Sequence, residues 1–198
     1  SGGTDSTSFN AAGLPGIAVV GVPQPLHVDA AAASLVPLRL EAPSAAAPPG
    51  THKVELTIED VQDPGNVGAI ARTALGLGAS GLIALKGTAE LTNPKVLRGS
   101  MGALFRLPAV SATDAECLAW TKRVGAALWI TDSDGERPGG QRPTAPVALV
   151  LGNEGAGVRP ELEREASRRL AIPLSAGVES LNVAVAAGIL LYEVRRDA

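Results

Sequence analysis

From His52 to the C-terminus, short apolar runs alternate with segments carrying a helical stripe, and no other feature of the chain restricts its fold so severely. The runs "GLIAL" (81–85), "AALWI" (126–130), "VALVL" (147–151) and "LAIPL" (170–174) have the length of buried strands. Helical patterns lie near 67–78, 94–101, 113–123, 159–169 and 181–196. Such alternation predicts an α/β domain, with a mostly parallel sheet covered by helices on both faces. A further strand is expected at "HKVELTIED" (52–60), where Glu55 and Thr57 alternate with Val54, Leu56 and Ile58, a pattern that predicts one wet face.

The segment before His52 has a different character. Residues 1–15 are Gly/Ser/Thr-rich and read as a disordered tail or a fusion scar. Residues 16–51 hold one short apolar run inside "PGIAVVGVP" (15–23) and then an Ala/Pro-biased linker that continues neither a helix nor a central strand. The organised domain is expected over 52–198.

The formal charge of -3 argues against a globally basic nucleic-acid binder, so any RNA site must be local. Lys95, Arg98 and Arg106 admit one such patch, with a solvated face as the plainer alternative. The single cysteine, Cys117, cannot form an internal disulfide and falls on the expected inner face of a helix. With it, the isolated His27 and His52 give no ligand set with metal spacing, and no metal is expected. No apolar stretch has membrane-spanning length and "SGGTDSTSFN" lacks the features of a secretion signal, so a reducing cytoplasm is the expected compartment.

Three stretches carry polar residues at places where chemistry is possible. In "DPGNVGAIARTALGLGASG" (63–81), Asn66 is placed to cap a helix, Arg72 faces away from its apolar stripe, and Gly68 and Gly76 leave the surroundings open to a ligand. A capped helix with a solvated arginine is the bland alternative. In "LGNEGAGV" (151–158), three glycines and Glu154 follow a strand directly. Their order reverses the dinucleotide fingerprint, and the next strand ends in "IPLSAG" without an acid for a ribose, so a nicotinamide site fails. A tight strand-to-helix turn needing positive φ would explain the glycines equally well. In "IPLSAGVESLNVAVAAGILLYEVRR" (172–196), Ser180 can cap a helix that has Asn182 in its first turn. The small residues Ala184, Ala186, Ala187 and Gly188 allow close packing.

In this order the three stretches resemble the signature motifs of the SpoU class of SPOUT RNA methyltransferases, and "NPKVLRGSMGALFRLP" (93–108) is similar to the segment between the first two. The resemblance runs from about residue 52 to the C-terminus. It implies a C-terminal trefoil knot, which periodicity alone would never suggest because chain connections ordinarily do not thread. It also implies S-adenosylmethionine as cofactor, transfer of its methyl group to a ribose 2'-hydroxyl in structured RNA, and a homodimer. The segment 16–51 resembles the join to an N-terminal RNA-binding domain of the rRNA-modifying branch, so ribosomal RNA is favoured over transfer RNA. By the same resemblance Gly152, Ile172 and Leu181 contact the cofactor through backbone groups. Glu154 orders the loop or the subunit contact beside it. Arg72 activates the hydroxyl, and Asn66, Ser180 and Asn182 orient hydroxyl, arginine and cofactor. An arginine that keeps its proton to above about pH 12 is a costly base, so stabilising a developing alkoxide competes with proton removal. A cofactor-binding or RNA-binding module without catalysis is the alternative of a different class.

Overall fold

The computed structural model of the chain describes residues 53–139, 143–153 and 155–196. The expectations for 1–51, for His27 and His52, and for Glu154 lie outside them. Six strands form one sheet in which every pairing is parallel: β1 (Val54–Ile58), β2 (Gly81–Ala84), β3 (Ala109–Ser111), β4 (Ala127–Glu136), β5 (Val147–Leu151) and β6 (Arg168–Leu170), in the order β3-β2-β1-β5-β4-β6. Among the described residues four α-helices lie between strands, α1 (Pro64–Gly76), α2 (Pro94–Gly99), α3 (Asp114–Val124) and α4 (Pro160–Glu165), and α5 (Val183–Arg196) follows β6.

Two apolar layers cover the sheet. On one face Leu56, Leu82 and Leu149 meet Val67 and Ile70 of α1 and Leu190 and Leu191 of α5. On the other, Ile83, Leu128 and Val150 meet Cys117 and Trp120 of α3 and Leu162 of α4. Burying each such side chain contributes on the order of 2 kcal/mol, so the α/β sandwich expected from the alternation is also where the stability resides.

β1 departs from expectation. All five of its residues are buried, because a central parallel strand is covered on both faces whatever its pattern. Glu55 is only 7% exposed, lies in register with Gly81 and Ala148, and leaves Oε2 without a hydrogen-bond partner. Burial pushes its carboxyl up to about 7, against the pull of Lys53. β6 sits at 168–170 rather than 170–174, since Pro173 cannot donate to a ladder and Arg168 instead lies over the Trp129 ring at 4.8 Å. β4 runs on to Glu136, well beyond its apolar run.

Helix starts also differ. Asp63, not Asn66, caps α1, accepting from the amides of Gly65 and Asn66 at 3.2 Å each, and Pro64 takes the first helical position. Asn182, not Ser180, caps α5: its Oδ1 accepts from the Ala184 amide at 3.0 Å and its carbonyl from that of Ala186. Small residues on α5 serve packing against α1, where a Cβ on Gly188 would lie 3.4 Å from Thr73. Arg195 ties the same two helices by donating to the Gly78 carbonyl at 2.6 Å. No helix among the described residues is long and apolar enough to cross a membrane.

Candidate active site

The carboxyl ends of β4, β5 and β6 open into a cleft of about 490 Å³. Its walls include Thr131 within β4, Gly152 and Asn153 after β5, and Ile172, Ser180 and Leu181 between β6 and α5. The structure therefore brings Gly152, Ile172, Ser180 and Leu181 to one pocket although they come from two distant stretches of chain. Acids line part of it. Asp132 and Glu163 share the Arg169 guanidinium at 2.6 and 2.5 Å, and Glu179 adds a further carboxylate. The amide of Asp134, aided by Arg169, holds the Asp132 carboxyl below the usual range.

The glycine loop after β5 is shaped first by its own backbone. Asn153 and Gly157 exchange two main-chain hydrogen bonds of 3.0 Å, folding 153–157 into a tight return. A Cβ on Gly152 would stand 2.4 Å from the Gly157 carbonyl, so any side chain there collides with the loop before it meets a ligand. The Gly152 amide donates to Thr131 Oγ1 at 3.2 Å. Inside the return, Asn153 Oδ1 accepts from the amides of Gly155 and Ala156 at 2.8 and 3.1 Å.

Asn153 also reaches outward. Its Nδ2 donates to the Asp60 carbonyl at 3.2 Å and to Asp60 Oδ2 at 3.1 Å. Asp60 has φ +53°, a backbone region uncommon outside glycine, and Gln62 donates to its other carboxylate oxygen. A second clasp lies nearby. Glu59, whose side chain is 1% exposed, accepts from the Arg159 amide and pairs with the Arg159 guanidinium, which reaches Asp114 at 2.8 Å. Both ends of the glycine loop are thus fastened to the chain leaving β1. Sequence reading missed Asn153, Asp60, Glu59 and Arg159; the one signal for them was an Asn at a strand-to-loop change, where such side chains commonly hold turn amides.

Asn66 stands apart from the cleft walls, yet its Oδ1 accepts from Asn182 Nδ2 at 3.0 Å. The starts of α1 and α5 are joined through that bond. Arg72 is exposed on α1 and makes no hydrogen bond or ion pair with the described residues. The openness expected around it is half filled: a Cβ on Gly68 would come within 2.8 Å of Val96 O and Gly99 C, so Gly68 serves the crossing of α1 and α2, whereas Gly76 has open space beside it.

The chain matches, over residues 53–192, the sequence model described as the SpoU rRNA Methylase family. It is 38% identical over 146 residues to the 23S rRNA (guanosine(2553)-2'-O)-methyltransferase RlmP of Bacillus subtilis, covering 73% of this chain and 59% of that protein. To the 23S rRNA (adenosine(1067)-2'-O)-methyltransferase of Streptomyces azureus it is 34% identical, covering 70% and 52%. Among solved structures, the AdoMet-bound rRNA methyltransferase from Sinorhizobium meliloti superposes with a TM-score of 0.73 at 34% identity, over 81% of this chain and 60% of that one. The SpoU methyltransferase AviRb from Streptomyces viridochromogenes in complex with AdoMet gives 0.68 at 34%, over 73% and 57%. The chain spans between about half and three fifths of the length of these relatives. The match to the family model across nearly all the described residues and the fold shared with these relatives agree: the chain belongs to the SpoU rRNA methylase family.

Proposed function

We propose that this chain transfers a methyl group from S-adenosylmethionine to a ribose 2'-hydroxyl of structured RNA, ribosomal RNA above transfer RNA. The observation that carries this reading is the meeting of Gly152, Ile172 and Leu181 in one cleft, beside a bond joining Asn66 to Asn182. The cleft suits the cofactor. Its volume falls within the range of ligand pockets, its walls combine aliphatic surface with backbone polar groups, and three carboxylates against one arginine favour a cationic sulfonium and ammonium. The relatives that act on 23S rRNA are the reason for preferring that substrate.

When bound, the cofactor supplies an electrophilic methyl group. The chain's own residues supply position and charge. Backbone groups at Gly152, Ile172 and Leu181 hold the nucleoside, and the aliphatic walls keep water from the methyl group. Asn66 and Asn182 fix each other's amides beside the hydroxyl, with Ser180 as a further orienting group. Arg72, unpaired among the described residues, is free to face an RNA phosphate and to stabilise negative charge on the attacking oxygen. A C-terminal trefoil knot and a homodimer belong to this reading. The dimer is supported by Val185, Ile189 and Tyr192, which form one exposed apolar stripe on α5 opposite its buried face. The compartment is the cytoplasm.

The test is incubation of the protein with labelled S-adenosylmethionine and total RNA, followed by mapping of any methylated nucleotide. Label on a ribose 2'-oxygen of ribosomal RNA is expected. Cofactor binding without transfer would favour the non-catalytic module, and label confined to transfer RNA would move the substrate.

A further inference from the structure

The turn after α2 exposes apolar surface in the most cationic part of the chain. Met101 and Phe105 are each 74% exposed, the largest such values among the described large apolar side chains. They stand out because of how the turn is built. Met101 has φ +50° and Gly102 φ +83°, two consecutive left-handed residues that swing the chain outward at the end of α2. The segment is anchored from beneath: Ser100 is fully buried with its hydroxyl donating to the Leu97 carbonyl at 2.8 Å, and Ala103 and Leu107 enter the core. Along 103–107 Ala103 and Leu107 are buried and Leu104 is half-buried, while Phe105 is left in solvent on a short 3-10 turn (Ala103–Phe105).

Cationic residues flank these two side chains along the chain. Residues 91–112 contain Lys95, Arg98 and Arg106 and no Asp or Glu, in a chain whose net charge is -3. Arg98 and Arg106 are exposed and make no ion pair or side-chain hydrogen bond among the described residues; Lys95 reaches Asp63 at 3.6 Å. The whole turn rests on α1, since Gly99 abuts Gly68 one helical turn before Arg72.

Taking the methyltransferase reading as its premise, we propose that this turn holds single-stranded RNA, one unpaired base lying on the face of Phe105 with its flanking phosphates against Arg98 and Arg106. An exposed aromatic face beside unpaired guanidiniums is the arrangement that binds unstacked nucleotides. A duplex buries its base faces and offers only edges and phosphates, so it gives Phe105 nothing to stack on. Met101 supplies a second, adaptable apolar contact. A protein partner is disfavoured, because two apolar side chains among three cations make too small an apolar core for a stable interface. The substrate is then a loop or bulge, with an open base next to the ribose that is methylated.

The probes are a short single-stranded RNA carrying a fluorescent adenine analogue and the same RNA annealed to its complement. Phe105→Ala is expected to weaken binding of the single strand about tenfold and to abolish the quenching caused by stacking. Phe105→Trp is expected to restore both, and duplex affinity should barely move. Arg98→Gln with Arg106→Gln should lower the slope of log affinity against log salt by about 1.4 on the single strand. Equal losses for single strand and duplex, unchanged single-strand binding, or a changed oligomeric state in place of a changed RNA affinity would each overturn the proposal. Titration of S-adenosylmethionine into the same preparations separates the premise: wild type that takes up no cofactor refutes the methyltransferase reading itself, whatever Phe105 does.

Discussion

Asn182 donates its side-chain amide to Asn66 at 3.0 Å, joining the starts of two helices that are 116 residues apart in the chain. The same Asn182 side chain caps α5 through the Ala184 amide. Its capping role and its proposed role in methyl transfer can therefore be separated. Serine in its place retains the cap but is too short to span to Asn66, so Asn182→Ser should keep stability within a few tenths of a kcal/mol and lower methyl transfer. Asn182→Ala should lose transfer and also about 1 kcal/mol of stability. Denaturant titration beside a transfer assay distinguishes the two.

At Arg72 the expected pattern is different again. The side chain is exposed and unpaired among the described residues, so Arg72→Ala should shift stability by less than about 0.5 kcal/mol. S-adenosylmethionine affinity should hold near wild type while methyl transfer is lost. Normal turnover in this variant would remove the arginine from the reaction.

Gly152 and Gly157 sit in one loop and should respond unequally. A methyl group on Gly152 would press on the Gly157 backbone at 2.4 Å, so Gly152→Ala must open the return, with overpacking of about 1–3 kcal/mol and a loss of cofactor affinity. Gly157 has φ +70° but open space beside it, so Gly157→Ala should cost about 1 kcal/mol through backbone strain and leave the cleft nearly intact. Calorimetric titration with S-adenosylmethionine reads the difference.

Glu55 makes stability depend on pH. Its carboxyl rises from an ordinary 4.5 to about 7 in the folded chain, so the folded state holds a proton that the unfolded state releases. The resulting stabilisation is complete below about pH 4.5 and is lost as pH rises to about 7, a change of about 3 kcal/mol as an upper bound. Glu55→Gln should flatten that slope and leave the protein more stable than wild type at pH 8. Asp63 and Asp132, whose carboxyls are depressed, act with the opposite sign and only on the acid side of their ordinary range. Denaturant midpoints measured across pH for both proteins would show the effect, and parallel curves would exclude it.

Much of this architecture was legible because buried parallel strands are short apolar runs, as "VALVL" is over the whole of β5. β3 escaped notice because three residues, "AVS", carry no periodicity. The alternation in β1 was misleading for a physical reason: it arises from a buried carboxylate and hydroxyl, and patterning alone cannot distinguish these from residues facing water. Site residues read as isolated motif members gained their meaning from partners. Gly68 faces a helix, Gly152 faces its own loop, and the amide of Asn153 binds a left-handed aspartate at a separation of 93 residues, which no local window reports.

The chain leaving β1 is gripped at Asp60 by Asn153 and at Asn66 by Asn182, and both grips come from residues translated long afterwards. The proposed site therefore depends on contacts between early and late parts of the chain. A chain cut before Asn182 would lack both the grip on Asn66 and the α5 side chains that cover one face of the sheet, so the proposed centre and that half of the core are completed by the same last stretch of chain.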